Sequence, residues 1–306
     1  LTDRSFPSPE SPLRFRAAVV AAVRDFFSAN GYLEVETPVR IPAPAPEAHI
    51  EAFSSEGWFL QTSPELCMKR LLAAGCQRIF QICKCFRREE RGVRHLTEFT
   101  LLEWYTAGGD YTRMMTETAS LIRSVAGAVG VGSPLSYQGN PIDLAGHWDR
   151  MTVAEAFHRY ASICLEDALV TDRFDEIIAL EIEPHLGFGR PLFLHDYPAA
   201  SGALARLRGD DPTVAERFEL YIAGMEMCNA FTELIDPGEQ RIRFEQEEAR
   251  RRRAGHTPYP SPEPFLESLA HMPPAGGNAL GIDRLVMVLA DTDAIDRVVA
   301  FTPESL

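Results

Sequence analysis

Residues 85–105 read CFRREERGVRHLTEFTLLEWY, with charged side chains and aromatic rings at spacings that suit chemistry on phosphates. Taken as strands, Arg87 and Glu89 share one face of the first arm, and Phe99, Leu101, Glu103 and Tyr105 share one face of the return. An arginine fork suits a phosphate, an aromatic ring suits stacking on a base, and a carboxylate suits a purine amino group or an ammonium. Glu103 sits inside the apolar run Leu101-Leu102-Glu103-Trp104-Tyr105, where a carboxylate without a partner is costly. The segment therefore points to ATP and a cationic substrate rather than to a solvated charged hairpin.

Two further sets complete the candidates. In residues 219–233, Asn229, Phe231 and Glu233 share a strand face, while Glu219 and Glu226 lie on opposite arms of a tight hairpin. Two carboxylates that close repel unless a cation lies between them, and hard oxygens beside phosphates suit Mg²⁺; two exposed acids are the plainer reading. Arg284 stands where a Gly-rich strand enters an apolar helix. Amides at a helix start favour anions, so Arg284 there could hold the outer phosphates of ATP; a surface couple with Asp283 is the competing reading.

The elements that must position these residues follow from periodicity. Residues 13–30 carry Phe15, Val19, Val20, Val23, Phe26 and Phe27 at helical spacing, ended by Asn30-Gly31. A strand is predicted over 32–36. A long surface loop follows, marked by Pro42, Pro44, Pro46 and Glu47. Residues 58–62 read as a strand, 64–74 as a helix, 77–86 and 98–105 as a hairpin, and 115–129 as a helix. Residues 152–182 are largely helical, 192–195 form a short strand, and 218–222 with 225–234 form a second hairpin around Gly224. A charged helix spans 240–253, and 276–285 is the Gly-rich strand entering the last helix. Hairpins dominate and no βαβ alternation appears, so the fold class is α+β, an antiparallel sheet flanked by helices. No linker splits the chain, and residues 1–306 read as a single domain.

With 306 residues and 45% hydrophobic composition the chain has ample core, and no apolar run is long enough to span a membrane. Residues 1–10 lack the pattern of a secretory signal, so a cytoplasmic location is expected. The net charge of −14 disfavours sequence-independent nucleic-acid binding. The cysteines form no paired Cys-x-x-Cys knuckles; Cys83-x-Cys85 is either half a metal site or a pair of small core residues. Lys69 and Lys84, the lysines of an arginine-rich chain, read as composition without function. The run of Arg250, Arg251, Arg252 and Arg253 is either a patch for an acidic acceptor or a solvated helix face.

These segments together resemble the signatures of class II aminoacyl-tRNA synthetases: residues 31–38 resemble motif 1, 86–105 motif 2 and 276–289 motif 3. The pattern is similar to the lysyl branch, through Thr62-Ser63-Pro64-Glu65-Leu66 and residues 95–105 and 226–233. The resemblance implies that Arg87 holds the α-phosphate, Glu89 reads the adenine amino group and Phe99 stacks on the base. Arg94 and His95 would lie near the outer phosphates, with Arg284 at the γ-phosphate and Glu219 and Glu226 on Mg²⁺. Glu65, Glu103, Tyr105, Asn229, Phe231, Glu233 and Ala279 would line the amino-acid pocket, with Glu233 facing the side-chain ammonium.

Two departures separate the chain from lysyl-tRNA synthetases. It begins at the first helix of the catalytic domain, so no anticodon-binding OB-fold is expected and tRNA is not the expected partner. Lysyl-tRNA synthetases have glycine where Ala279 stands, and Asn-Gly-Phe where Asn229-Ala230-Phe231 stands. Both features are similar to the elongation factor P–lysine ligase family, which residues 258–272 and 300–302 also resemble. That resemblance implies activation of (R)-β-lysine or lysine with ATP and transfer to a lysine ε-amino group of elongation factor P, by a homodimer. The alternatives are a minimal lysyl-tRNA synthetase charging tRNA and a silent paralogue serving as a regulatory subunit.

Overall fold

The structure, a computed structural model, describes residues 10–306. Of residues 1–10, read above for export signals, all but the last lie outside it. Helix α1 (Glu10–Ala29) buries Val19, Val23 and Phe27, and the Phe27 ring stacks on Phe80 at 4.7 Å. That contact is where the period-3.6 stripe meets the sheet. Asn30 and Gly31 end the helix as expected, with Gly31 at φ +75°.

Eight strands form the main sheet: β1 (Leu33–Glu34), β2 (Arg78–Phe86), β3 (Glu98–Ala107), β4 (Asp149–Thr152), β5 (Leu192–Pro198), β6 (Val214–Ile222), β7 (Met225–Thr232) and β8 (Ala275–Gly281). Their spatial order is β1-β2-β3-β8-β7-β6-β5-β4. The pairs from β2 to β5 are antiparallel, and only the edge pairs β1/β2 and β4/β5 run parallel. The α+β architecture is as expected, with parallel pairing confined to the margins.

Strand β8 decides where the site lies. It comes from the end of the chain yet inserts between the two hairpins, pairing Gly277 with Tyr105 on one side and Phe231 on the other. Ala279 is flanked in the same way by Glu103 and Asn229. Ala279 and Glu103, 176 positions apart in the chain (279 − 103), thus face each other on neighbouring strands.

Helices α2 (Glu65–Ala73), α3 (Tyr111–Ala128), α4 (Pro237–Ala254), α5 (Glu263–Leu269) and α6 (Ile282–Leu289) cover the sheet. Helix α3 starts four residues earlier than periodicity predicts, because the Asp110 side chain accepts a hydrogen bond from the Arg113 amide and caps the first turn. The helical reading of 152–182 resolves into three short helices, Val153–Tyr160, Leu165–Val170 and Phe174–Ile177, followed by a π-helical turn. They build a satellite core against β5. Among the described residues no helix is long and apolar enough to cross a membrane.

Two expectations are corrected. The Pro-rich stretch 42–50 is not a surface loop: Ala43, Pro44, Ala45, Pro46 and Ala48 are buried. Small side chains let it pack beneath α4, where the Arg251 guanidinium donates to the Glu47 and Ile50 carbonyls. The four-arginine run is a solvated helix face at Arg250, Arg252 and Arg253, which are exposed, and departs from that reading only at Arg251. Arg251 is fully buried on Glu51, with Tyr259 stacked 3.8 Å from its guanidinium, while Arg250 and Arg252 pair with Glu247 and Glu248. The Cys83 and Cys85 sulfurs lie 3.8 Å apart, and among the described residues no cluster of three or more His, Cys, Asp or Glu could hold a metal. They are packing residues.

Candidate active site

Where β8 separates the hairpins, a cleft of about 1080 Å³ opens, and Arg87, Arg284 and Glu233 all line it. Three distant segments meet in one cavity.

At one end the chemistry is cationic. Strand β2 stops at Phe86, and the Arg87 amide donates to the Thr97 carbonyl at 2.9 Å. The Arg87 guanidinium lies 5.1 Å from the Phe99 ring centroid and pairs with Glu90 at 3.3 Å. Arg284, in the first turn of α6, donates to the Glu226 carbonyl at 2.8 Å and its carboxylate at 3.1 Å, and also to His95 Nε2. Burial and the neighbouring Arg284 charge push the His95 pKa down, so the ring is neutral and accepts. Arg94 donates to the Gly224 carbonyl at 2.7 Å, fastening the 87–97 loop to the tip of the β6–β7 hairpin.

The structure does not bring Glu89 to this cleft. Residues 87–90 form a turn, so the alternation that would put Glu89 beside Arg87 ends with the strand. Glu89 is exposed, and Glu90 takes the place on the wall.

Beside the arginines lies an acidic group. A bulge in β6 between Leu220 and Tyr221 leaves Glu219 opposite Asn229 and Tyr221 opposite Glu226. Glu219 accepts from Arg217 at 2.7 Å and from the Tyr221 hydroxyl at 2.6 Å, and that hydroxyl also lies 3.1 Å from Glu183. Burial and the charge of Glu226 raise the Glu219 pKa. Burial opposes charge on Glu226 as well, but Arg284, with Arg217 and Arg87, more than compensates and holds its pKa below the ordinary value. Glu183 rises to about 7 through burial and the charges of Glu226 and Glu219.

The other end is a recess walled by Glu65, Glu103, Tyr105, Asn229, Phe231, Glu233 and Ala279. Tyr105 donates to Glu103 at 3.0 Å. Burial raises the Glu103 carboxyl well above its ordinary value, and burial sets Glu233 at about 8. Gly277 closes the floor: a Cβ there would collide with Glu233 Oε1 and the Tyr105 ring. Lys69, fully buried in α2, pairs with Glu65 at 2.6 Å and with Glu233, and its ammonium lies 5.2 Å from the Phe231 ring centroid. An acidic, dry recess beside a cationic groove can hold an ammonium-bearing acid next to a triphosphate.

A model of the family described as tRNA synthetases class II (D, K and N) matches residues 3–305. Three curated relatives are similar over nearly the whole length. Elongation factor P–(R)-β-lysine ligase of Klebsiella pneumoniae subsp. pneumoniae is 39% identical over 97% of this chain and 96% of its own. The ligase of the same name from Salmonella gallinarum is 38% identical over the same shares. That from Edwardsiella ictaluri is 37% identical over 96% of each chain.

The chain belongs to the class II synthetase family, in its elongation factor P–lysine ligase branch.

Class II membership accounts for the sheet and for the meeting of residues 86–105 with 276–289. Sequence reading of this family member missed four residues that line or support the cleft: Lys69, Glu90, Glu183 and Arg217. Lys69 had a signal, because it follows Glu65 by four positions in a predicted helix and so shares its face. Arg217 had one too, two residues before Glu219 on the same strand face. Glu90 had no signal, because alternation does not mark where β2 ends, and Glu183 lies in an irregular turn that carries no periodicity.

Proposed function

We propose that the chain activates (R)-β-lysine, or lysine, as an aminoacyl adenylate and transfers it to a lysine ε-amino group of elongation factor P. The observation that carries this reading is the single cleft in which Arg87 and Arg284 face a recess walled by Glu65, Glu103 and Glu233. Relatives named for that activity at 37–39% identity support the choice of amino acid and acceptor.

In the first step a substrate carboxylate oxygen attacks the α-phosphorus of ATP, the bond to the bridging oxygen breaks, and pyrophosphate leaves. In the second the acceptor amine attacks the acyl carbon, AMP departs with the anhydride oxygen, and the amine loses its proton to solvent. Arg87 and Arg284 neutralise phosphate charge, Arg94 and His95 line the outer-phosphate end, and Phe99 offers a face to the base. Asn229, Phe231, Tyr105 and Ala279 shape the recess in which carboxylates meet the substrate ammonium groups. Glu89, assigned to the adenine amino group by family resemblance, lies outside the lining, so Glu90 is the carboxylate available beside Arg87.

Glu219 and Glu226 fit a Mg²⁺ ion, since both are hard donors and the charge of one raises the pKa of the other. Among the described residues no group of three or more His, Cys, Asp or Glu is placed to hold a metal by itself, so ATP oxygens would share in holding the ion. Bound Mg²⁺ would supply charge neutralisation to the triphosphate.

We further read residues 1–306 as one catalytic domain working in the cytoplasm. The exposed Leu33, Val39 and Trp58, in and near the motif 1 stretch, support a homodimer. The test is exchange of pyrophosphate into ATP with α- and β-lysine, followed by mass spectrometry of elongation factor P. Exchange and a mass increase of one lysyl unit are expected. No exchange with either amino acid would overturn the enzymatic reading, and acylation of tRNA in place of the protein would overturn the acceptor.

A further inference from the structure

Lys69 is one of two lysines in a chain that otherwise uses arginine for its cations. Its side chain is fully buried, which is costly unless the charge is matched. The match comes from two carboxylates of different origin: Glu65, one helical turn earlier in α2, and Glu233, just beyond the end of β7. The Phe231 ring borders the bridge, and Gly277 leaves Glu233 the space to reach it.

Among the described residues the recess sets three carboxylates, Glu65, Glu103 and Glu233, against one lysine ammonium ion-paired to two of them. Fully ionised, it carries a net charge of minus two, which equals in size the two ammonium groups of a diamino acid. Without Lys69, Glu65 and Glu233 would repel, and a third buried charge would have no partner even with substrate bound.

We infer that Lys69 is a specificity-determining positioning residue: bridged between Glu65 and Glu233, it sets the recess charge to match two ammonium groups and aims both carboxylates at the substrate. The inference rests on the diamino-acid reading of the recess. Lys69 itself touches no reacting atom.

The test compares wild-type, Lys69→Met, Lys69→Gln and Lys69→Arg proteins by pyrophosphate exchange across pH, with lysine, β-lysine and the monoamino analogue norleucine. Thermal-shift titration with the same amino acids reads binding independently of turnover. Loss of the charge should raise the KM for the diamino acid by roughly 30-fold or more and leave the KM for ATP unchanged. It should also narrow the preference over norleucine. The acid limb of kcat/KM should move to higher pH, because Glu233 loses the cation that holds its pKa down. Lys69→Arg should keep the acid limb in place.

A folded Met or Gln variant with an unmoved acid limb and wild-type preference overturns the inference. So does an Arg variant whose acid limb moves, since that would assign Lys69 to packing rather than charge. Absence of exchange in the wild type counts against the proposed function, and the titrations then decide the role of Lys69: equal diamino-acid binding by wild type and Lys69→Arg with loss in Lys69→Gln supports it, and equal binding by all overturns it.

Discussion

Arg16 and Asp283, 267 positions apart, form an ion pair at 2.5 Å in which the Asp283 carboxylate is almost fully buried. Asp283 also accepts from the Thr100 amide at 2.7 Å, so it faces α1 and β3 and not its neighbour Arg284. The surface couple considered from sequence does not form, and Arg284 is left to the cleft. Arg16→Met should cost about 3 kcal/mol by stranding a buried carboxylate. Urea denaturation measures this, and a midpoint equal to the wild type would show that the pair contributes nothing.

Arg87 follows β2 and Arg284 follows β8, two strands with β3 between them, and neither can stand in for the other. Arg87→Ala and Arg284→Ala should each lower the exchange rate by about 10²–10³-fold, the scale of losing one preorganised donor to a developing charge. Far-ultraviolet circular dichroism should be unchanged. Normal exchange in either variant removes that arginine from the phosphate site.

On the floor of the recess, Gly277 and Ala279 carry opposite expectations. Gly277→Ala forces a methyl into Glu233 and Tyr105 on a strand pinned by ladders on both sides. A KM for the amino acid raised roughly 10- to 100-fold is expected, with little change for ATP. Ala279→Gly removes one methyl between Glu103 and Asn229 and should shift selectivity toward α-lysine by roughly 10-fold. Competition between α- and β-lysine in the exchange assay measures the ratio, and an unchanged ratio would place discrimination elsewhere.

Protonation of the recess predicts a pH dependence. Glu233 titrates at about 8 because burial disfavours its charge, and Glu103 is pushed up for the same reason. A substrate ammonium needs the ionised form, so kcat/KM for the amino acid should rise with pH up to about 8. Stability of the free enzyme runs the other way. Glu233, together with Glu47 and Glu183 at about 7, binds its proton more tightly folded than unfolded. Their contribution is complete below the ordinary carboxylate pKa and is lost as pH rises through 7 to 8. Melting temperatures from pH 5 to 9, with and without lysine, test both signs, and a lysine-induced shift that shrinks with pH contradicts the assignment.

Both hairpins were legible in the sequence because alternation of side chains is local: each arm of 77–86 and 98–105 writes its own period. The ladder that matters for function was not local. Nothing in the periodicity of residues 276–281 says that they separate Glu103 from Asn229, and only resemblance to a known family carried that pairing. Glu89 was misplaced because the end of a strand leaves no mark in alternation. The Pro-rich stretch was taken as surface because proline and glutamate usually lie there, whereas its interleaved alanines bury it. Lys69 went unread because a buried cation looks like any other lysine until its two acids are located.

The grip of Arg251 on the carbonyls of Glu47 and Ile50 makes this part of the cleft wall a suspended span, hung from α4. Any change in pitch or length of that helix would therefore be transmitted to the span, moving the cleft wall without any substitution in residues 47–50.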